Sequence, residues 1–425
     1  MDSRGNQDLY RRSVRIGYTV GTFHLPEDVT FVADHGVGAR LYDVQGRSYI
    51  DYLLGSGPIL LGHAHPEVNA AVSAQLAKGM HFYTLNEPAI ELGEKLNAII
   101  PCAEEIKFLV SGSEAARHCL RMARVFTGRP KVMKFEGSFH GTGDYSLMSA
   151  FTPSKNYPRP EPESAGIPAA IQDLVLIAPW NDLAMTRAIL TEHGKDVAAV
   201  LCEPVQRVMT PKPGFLEGLR EITRELGILL IFDEMVTGFR MSLGGAQKIY
   251  GVTPDLAIFG KALTNGLPMT CIAGRSDVLS LARPKAKRGD ASVYFGGTLN
   301  GNALSAAAAL AVIHVLSHQG TYERLAASTQ RLKDGLKSAA ARHKLPLQIV
   351  GPDTFFQAFF SQSPITDLRS SLAAGSPLTE RFQMECLKRG VLQQRGKFYV
   401  STALTEGDIA ETLQAFDAAM AATAA

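Results

Sequence analysis

The sequence is sparing with the features that mark specialised protein classes. Its 425 residues include five cysteines and one tryptophan. Cys102, Cys119, Cys202, Cys271 and Cys386 are far apart, odd in number and form no CxxC pair, so neither zinc-ligand nor redox spacing is present. A reducing, cytoplasmic setting is expected. No charge of one sign dominates: 43 Lys and Arg stand against 41 Asp and Glu. That balance gives no electrostatic reason to expect nucleic acid or a membrane surface as partner, and small molecules are expected instead. No stretch approaches ~18 uninterrupted apolar residues. The opening MDSRGNQDLYRRSVRIG carries charge with no apolar run behind it. Neither membrane insertion nor secretion is indicated.

What is present is an ordinary globular composition, 46% hydrophobic, in a chain long enough for one large and one small domain. Residues 39–53 alternate apolar and polar side chains around Gln45-Gly46 and predict a β-hairpin. From about residue 66 to 300 the pattern changes. Apolar runs at 106–112, 131–137, 173–179, 197–204, 227–234 and 255–261 alternate with longer amphipathic stretches. This alternation predicts an α/β fold with a mostly parallel central sheet covered by helices. After the turn at 296–301 an Ala-rich helix leads into a smaller α+β unit. The expected division is an N-terminal segment, 1–65, packing with the small domain, a large domain, 66–300, and a small C-terminal domain, 301–425. The polar, Pro-rich stretch 151–164 reads as a surface loop over or near a site.

Four short motifs carry chemistry. Ser111-Gly112-Ser113-Glu114 follows an apolar run and opens a helical pattern with capping-box spacing. Free N–H groups at the positive end of a helix dipole suit an anion, although the same tetrapeptide also reads as a plain cap. Asp233 and Lys261 each end an apolar run, so both are expected in the crevice outside the carboxyl ends of the strands. A Schiff-base lysine must be deprotonated, and a pyridine used as electron sink needs a carboxylate at its nitrogen. The alternatives are a helix-capping Asp233 and a solvated Lys261. Phe139-His140-Gly141 offers a flat ring for stacking on a planar cofactor, while His140 reads equally as a buried structural histidine. Gly296-Gly297-Thr298 permits close backbone approach and a hydroxyl donor to phosphate, or an ordinary turn.

Taken in order, these motifs and the segments ARLYDVQGRSYIDY, LLGHAHPEV, FEGSFHG, LLIFDEMVTGFR, GVTPDLAIFGKALTNGLP and GGTLNGN resemble the class III, fold-type I aminotransferases dependent on pyridoxal 5'-phosphate (PLP). The likeness is greatest to the branch containing glutamate-1-semialdehyde aminomutase and the β-amino acid and D-phenylglycine aminotransferases, and runs from about residue 31 to the C-terminus. The resemblance implies a Schiff base on Lys261, Asp233 at the pyridine nitrogen, and Phe139 and Met235 on the two ring faces. It implies a phosphate held at Ser111, Gly112 and Ser113, His140 beside the cofactor, and Thr298 reaching the phosphate of a partner subunit in a homodimer.

Departures from the family pattern bear on substrate. Val236 stands where relatives acting on ω-amines usually carry Gln, and Gly55-Ser56 precede Gly57-Pro58 where the aminomutases have a Ser-Trp pair. The aminomutases' C-terminal glutamate falls at about Gln394-Arg395-Gly396, where the β-amino acid enzymes have arginine. Arg395 and Ser56 are thus the expected substrate contacts, Arg395 as a bidentate carboxylate partner. The arginine that β-amino acid enzymes carry before their first hairpin has His35 or Arg40 as nearest counterpart. The expected activity is amino-group transfer between an amino donor and a keto or aldehyde acceptor by a ping-pong route. The rivals are an aminomutase or racemase, and a non-catalytic PLP-binding protein.

Overall fold

The computed structural model describes residues 5–17, 25–27, 29–283, 292–375 and 377–425. Three sheets organise it. The N-terminal strands Ala33–Val37 (β1), Arg40–Asp43 (β2) and Ser48–Asp51 (β3) form an antiparallel meander. The expected hairpin is its second half. β1 escapes sequence reading because its residues, ADHGV, show no apolar alternation and four of the five are exposed.

The central sheet contains Glu105–Leu109 (β4), Lys131–Phe135 (β5), Val175–Ala178 (β6), Val197–Cys202 (β7), Leu229–Asp233 (β8), Leu256–Phe259 (β9) and Thr270–Gly274 (β10) in the order β4-β10-β9-β8-β7-β5-β6. β5 to β9 run parallel, whereas β10 is antiparallel to both β9 and β4. β6, β7, β8 and β9 are buried along their whole length, as strands covered on both faces must be. The helix Phe215–Glu225 shows how the cover is made: Phe215, Leu216, Leu219 and Ile222 fall on one face and are buried. Trimming one of them, such as Leu219, to alanine would cost about 2–5 kcal/mol.

The C-terminal third supplies Gln348–Val350 (β11), Phe355–Phe359 (β12), Val391–Leu392 (β13) and Lys397–Tyr399 (β14). β11, β12 and β14 form a sheet of their own, while β13 pairs in parallel with β3. The two ends of the chain therefore share a sheet. The Ala-rich helix Ala303–Leu316 packs on the helices Pro66–Leu76 and Glu87–Ile99. Its apolar sequence on nearly every side suits a buried position. Among the described residues no single helix is long and apolar enough to cross a membrane.

The stretch 151–164 is tied down at both ends. Ser154 N–H donates to Glu136 at 2.7 Å, and Arg369 clamps the same carboxylate through two nitrogens at 2.9 and 3.0 Å. Pro158 C=O accepts from Ile177 N–H, covering the outer edge of β6. The loop thereby links the sheet to the C-terminal third.

Candidate functional site

The carboxyl ends of β4, β5, β7, β8 and β9 open on the same side of the sheet, as parallel strands require. After β4, the Ser111 hydroxyl caps the helix Gly112–Thr127, accepting from Glu114 N–H at 3.3 Å. The Glu114 carboxylate reaches back to Val110 N–H, one residue short of the reciprocal capping-box bond. The N–H groups of Gly112 and Ser113 are left without intrahelical partners, as at any helix start. Ser113 Oγ accepts from Thr142 N–H at 3.0 Å, so the loop after β5 rests on this helix end. Gly141, at φ 88°, is essential to that contact: a methyl there would lie 2.2 Å from Ser113 Oγ.

β8 delivers two carboxylates to opposite faces, since successive strand residues alternate. Asp233 faces the crevice. Its Oδ1 accepts from Met235 N–H at 3.0 Å, and its Oδ2 lies 2.7 Å from His140 Nδ1. Against an ionised carboxylate the Nδ1 atom is the donor. His140 Nε2 is buried with no partner. His140 is thus both a buried, bonded histidine and a neighbour of the site. Glu234 turns the other way and accepts from Ala246 and Gln247 N–H at 2.7 and 2.9 Å, holding the start of the helix Gly245–Tyr250. Burial raises its pKa while these donors work against the rise.

Lys261 follows β9 after Gly260, on a short 3-10 turn and not on the strand itself. Its φ of 48° is a left-handed conformation that costs a non-glycine residue energy, and such strain concentrates at functional sites. β8 and β9 are neighbours in the sheet, so Asp233 and Lys261 end adjacent strands. Burial is the largest influence on the Lys261 amine and lowers its pKa; Tyr399, Asp233 and Glu203 pull it upward and Lys397 pushes it further down. Met235 links the strand ends: hydrogens replaced by methyls at Gly112 and Gly260 would sit 3.2 and 2.7 Å from its Cε. Phe139 stands half exposed beside the Arg207 guanidinium at 5.3 Å and Phe151 at 6.0 Å.

Some groups were missed in the sequence. Glu203, just past the end of β7, accepts from Phe139 N–H at 2.6 Å and Arg207 N–H at 2.9 Å, fixing the Phe139 backbone. Its signal, a carboxylate closing an apolar run, was present in VLCEP. Arg240 is fully buried and gives its guanidinium to the carbonyls of Gly57, Val400 and Thr354 at 2.7, 2.8 and 3.3 Å. Burial lowers its pKa to about 10. Tyr399 lies under that guanidinium, 5.2 Å from it, with Lys397 4.8 Å from the ring. Desolvation raises the phenol's pKa, but Lys397, Lys261 and Arg240 together outweigh it and bring the value down to about 8.

The other expected residues are distributed differently. Ser56 is exposed in a turn whose residues Leu54, Gly55, Ser56 and Gly57 all take positive φ. That turn abuts the site: a methyl at Gly57 would lie 3.0 Å from Tyr399 Cε1. Arg395 is exposed at the tip of the turn between Gln394 and Lys397; among the described residues only its backbone is bonded, its N–H donating to Gln383 and its C=O accepting from Gln357. Thr298 is exposed in the turn after Gly297 and contributes no hydrogen bond to the groups above. Arg40 is committed to Asp408 and Glu411, and His35 to Asp34 and the Tyr42 ring, so neither is a free carboxylate partner.

The crevice therefore unites an anion seat of unused helix N–H groups, Met235 packed at the strand ends, a carboxylate braced by histidine, and an amine that is neutral more readily than an ordinary lysine. These are the donors that a phosphorylated pyridine aldehyde requires. The chain matches the profile of class-III aminotransferases over residues 24–420. It is 38% identical over 385 residues to a glutamate-1-semialdehyde 2,1-aminomutase of Desulfitobacterium hafniense, covering 89% of this chain and 88% of that protein. Its fold is similar to that of an omega-transaminase from Sphaerobacter thermophilus, with a TM-score of 0.91 and 32% identity over 98% of this chain and 97% of the other. It is also similar to a transaminase with PLP bound, with a TM-score of 0.88 and 27% identity over 98% and 96% of the two chains. PLP is the cofactor of this fold-type I protein. The chain belongs to the class-III aminotransferase family.

Proposed function

We propose that the protein is an aminotransferase that moves an amino group from an amino acid or amine to a keto or aldehyde acceptor by a ping-pong route. The observation that carries this reading is the convergence of a half-buried, left-handed Lys261 and the His140-braced Asp233 at the ends of adjacent strands. PLP, when bound, supplies the electron sink for the carbon bearing the amino group. Lys261 Nζ would hold the cofactor at its aldehyde end, and the same amine, neutral more readily than an ordinary lysine, would take and return the proton at the substrate carbon. Asp233 would accept from the protonated pyridine nitrogen, and His140 Nδ1, 2.7 Å from its Oδ2, orients the carboxylate. Gly112 and Ser113 N–H, with the Ser111 cap holding the helix end, seat the phosphate; Phe139 and Met235 exclude water from the ring faces. Ser56 lines the substrate side.

A homodimer in the cytoplasm is part of the proposal. Tyr83, Leu85 and Tyr294 are 80, 85 and 84% exposed, an unusual display of large apolar side chains. The two segments adjoin, because Asn86 Nδ2 donates to Gly301 C=O at 2.9 Å. Thr298 stands within this patch, where a second copy would meet it.

The second reading is an aminomutase, favoured by the similarity to glutamate-1-semialdehyde 2,1-aminomutases. Gly55 and Ser56, where the aminomutases have a Ser-Trp pair, leave the pocket without the aromatic wall expected of that activity. Visible spectra of the purified protein decide between them. A cofactor band that bleaches with an amino donor and returns with a keto acid is the expected result, and Lys261→Ala should abolish the band. Conversion of a single amino-aldehyde with no keto acid formed would establish the aminomutase instead.

A further inference from the structure

The sequence points to Arg395 as the substrate's carboxylate partner, yet that side chain stands exposed at a turn tip. Two residues further on, the chain enters β14, where Lys397 and Tyr399 share one face while Phe398 packs inward on Phe356 and Phe416. Lys397 Nζ lies 4.8 Å from the Tyr399 ring and 5.9 Å from the Phe355 ring. The ammonium is half-buried, and among the described residues it has no carboxylate partner; its polar neighbour is the Tyr399 hydroxyl. Arg240, on the other side of the same ring, also lacks a carboxylate, since carbonyl oxygens take its N–H groups.

This cationic face is held against the Lys261 turn by the backbone. Gly57 contacts the Tyr399 ring, Thr402 N–H donates to Leu60 C=O, and Asn265, four residues beyond Lys261, bonds Leu61 N–H and Gly62 C=O at 2.9 Å each. The carboxylates on the opposite side, Asp233 and Glu203, are already occupied by His140 and by backbone N–H groups. The substrate end of the crevice is thus lined by positive charge that the protein leaves unneutralised. In a partly desolvated cleft such charge favours an anion strongly.

We propose that Lys397, with the Tyr399 hydroxyl beside it, receives a carboxylate of the substrate, making Lys397 the specificity-determining cation and the substrates amino acids and keto acids in preference to simple amines. This rests on the aminotransferase reading for what the carboxylate belongs to. Electrostatics around Lys261 agree, since Lys397 and Tyr399 both act on its amine.

The test is calorimetric titration of the cofactor-loaded protein with succinate, an unreactive dicarboxylate, in phosphate-free buffer, with ethylamine as the uncharged-end control. Wild type should bind succinate, and Lys397→Met should weaken that binding at least tenfold while leaving the visible cofactor band intact. Lys397→Arg should restore affinity to within a few-fold, which loss of a merely structural residue would not predict. Lys397→Gln serves should the Met variant not fold. Unchanged succinate affinity in the Met or Gln variant, absence of succinate binding to wild type, or loss of binding on Arg395→Met with Lys397→Met unaffected would each overturn the proposal. A wild-type protein with no cofactor band fails the aminotransferase reading instead, and the two failures are read in separate measurements.

Discussion

At the scale of single residues, the site is built by neighbours that leave specific groups unsatisfied. Lys261 pays for its position in backbone strain and lost hydration, and the result is an amine that gives up its proton more easily. Lys134 shows the same desolvation where no chemistry is assigned. It is fully buried in β5, donates to Ser138 and Met148 carbonyls at 3.0 and 2.5 Å, and has its pKa lowered to about 7, chiefly by burial. A neutral amine still provides both donors. Because the unfolded chain holds this proton up to the ordinary lysine range and the folded chain releases it near 7, the unfolded state binds more protons between those limits. Folding stability attributable to Lys134 therefore rises with pH through that window and is lost as pH falls through the folded value. Relative to Lys134→Met, wild type should gain stability from pH 7.5 to 9, with a slope of at most about 1.4 kcal/mol per pH unit. Parallel denaturation midpoints of the two proteins across that range would refute it.

Elements position these residues through their ends more than through their length. Ser111 stops β4 and caps the next helix, Gly128 at φ 69° ends that helix, and both follow from residue type. The contact between the Phe139 to Thr142 loop and the helix start is a different case, since nothing in the local sequence announces that Gly141 meets Ser113. Gly141→Ala tests it. The added methyl collides with Ser113 Oγ and Cα, 2.2 and 2.6 Å away, at a φ of 88°. A destabilisation of about 1–3 kcal/mol is expected. Cofactor retention should fall as the loop lifts from the helix end; full cofactor content after dialysis would mean that the loop adapts without disturbing the phosphate seat.

For the whole molecule, the shared sheet of β3 and β13 brings residues from both ends of the chain around one crevice. The turn at 54–57 and the β14 residues meet there although more than three hundred positions separate them. The exposed apolar patch at Tyr83, Leu85 and Tyr294 argues for one further level of assembly. If the proposed dimer forms through this patch, replacing Tyr83 and Leu85 together by Glu should shift sedimentation toward monomer and weaken cofactor retention, as Thr298 of the partner subunit would no longer reach the phosphate. A variant that sediments like wild type would place the interface elsewhere.

The apolar runs by themselves determined the parallel strands, because a strand buried on both faces must be continuously hydrophobic and little else in a chain of this composition reads that way. They also set Asp233 at a strand end and Lys261 just past the next strand, and Gly112 at a helix start. β10, antiparallel among parallel neighbours, was not legible, since its five residues, TCIAG, form no continuous apolar run and strand direction leaves no mark on the sequence. Nor were the partnerships that decide charge. Arg40 and Arg395 are alike in sequence, but one is spent on the last helix and the other stands on a turn tip, while Lys397 lies beside Tyr399 with no carboxylate partner among the described residues. Periodicity reports which face of an element is buried; which distant group neutralises a charge depends on how elements far apart in the chain come together, and only the tertiary structure decides that.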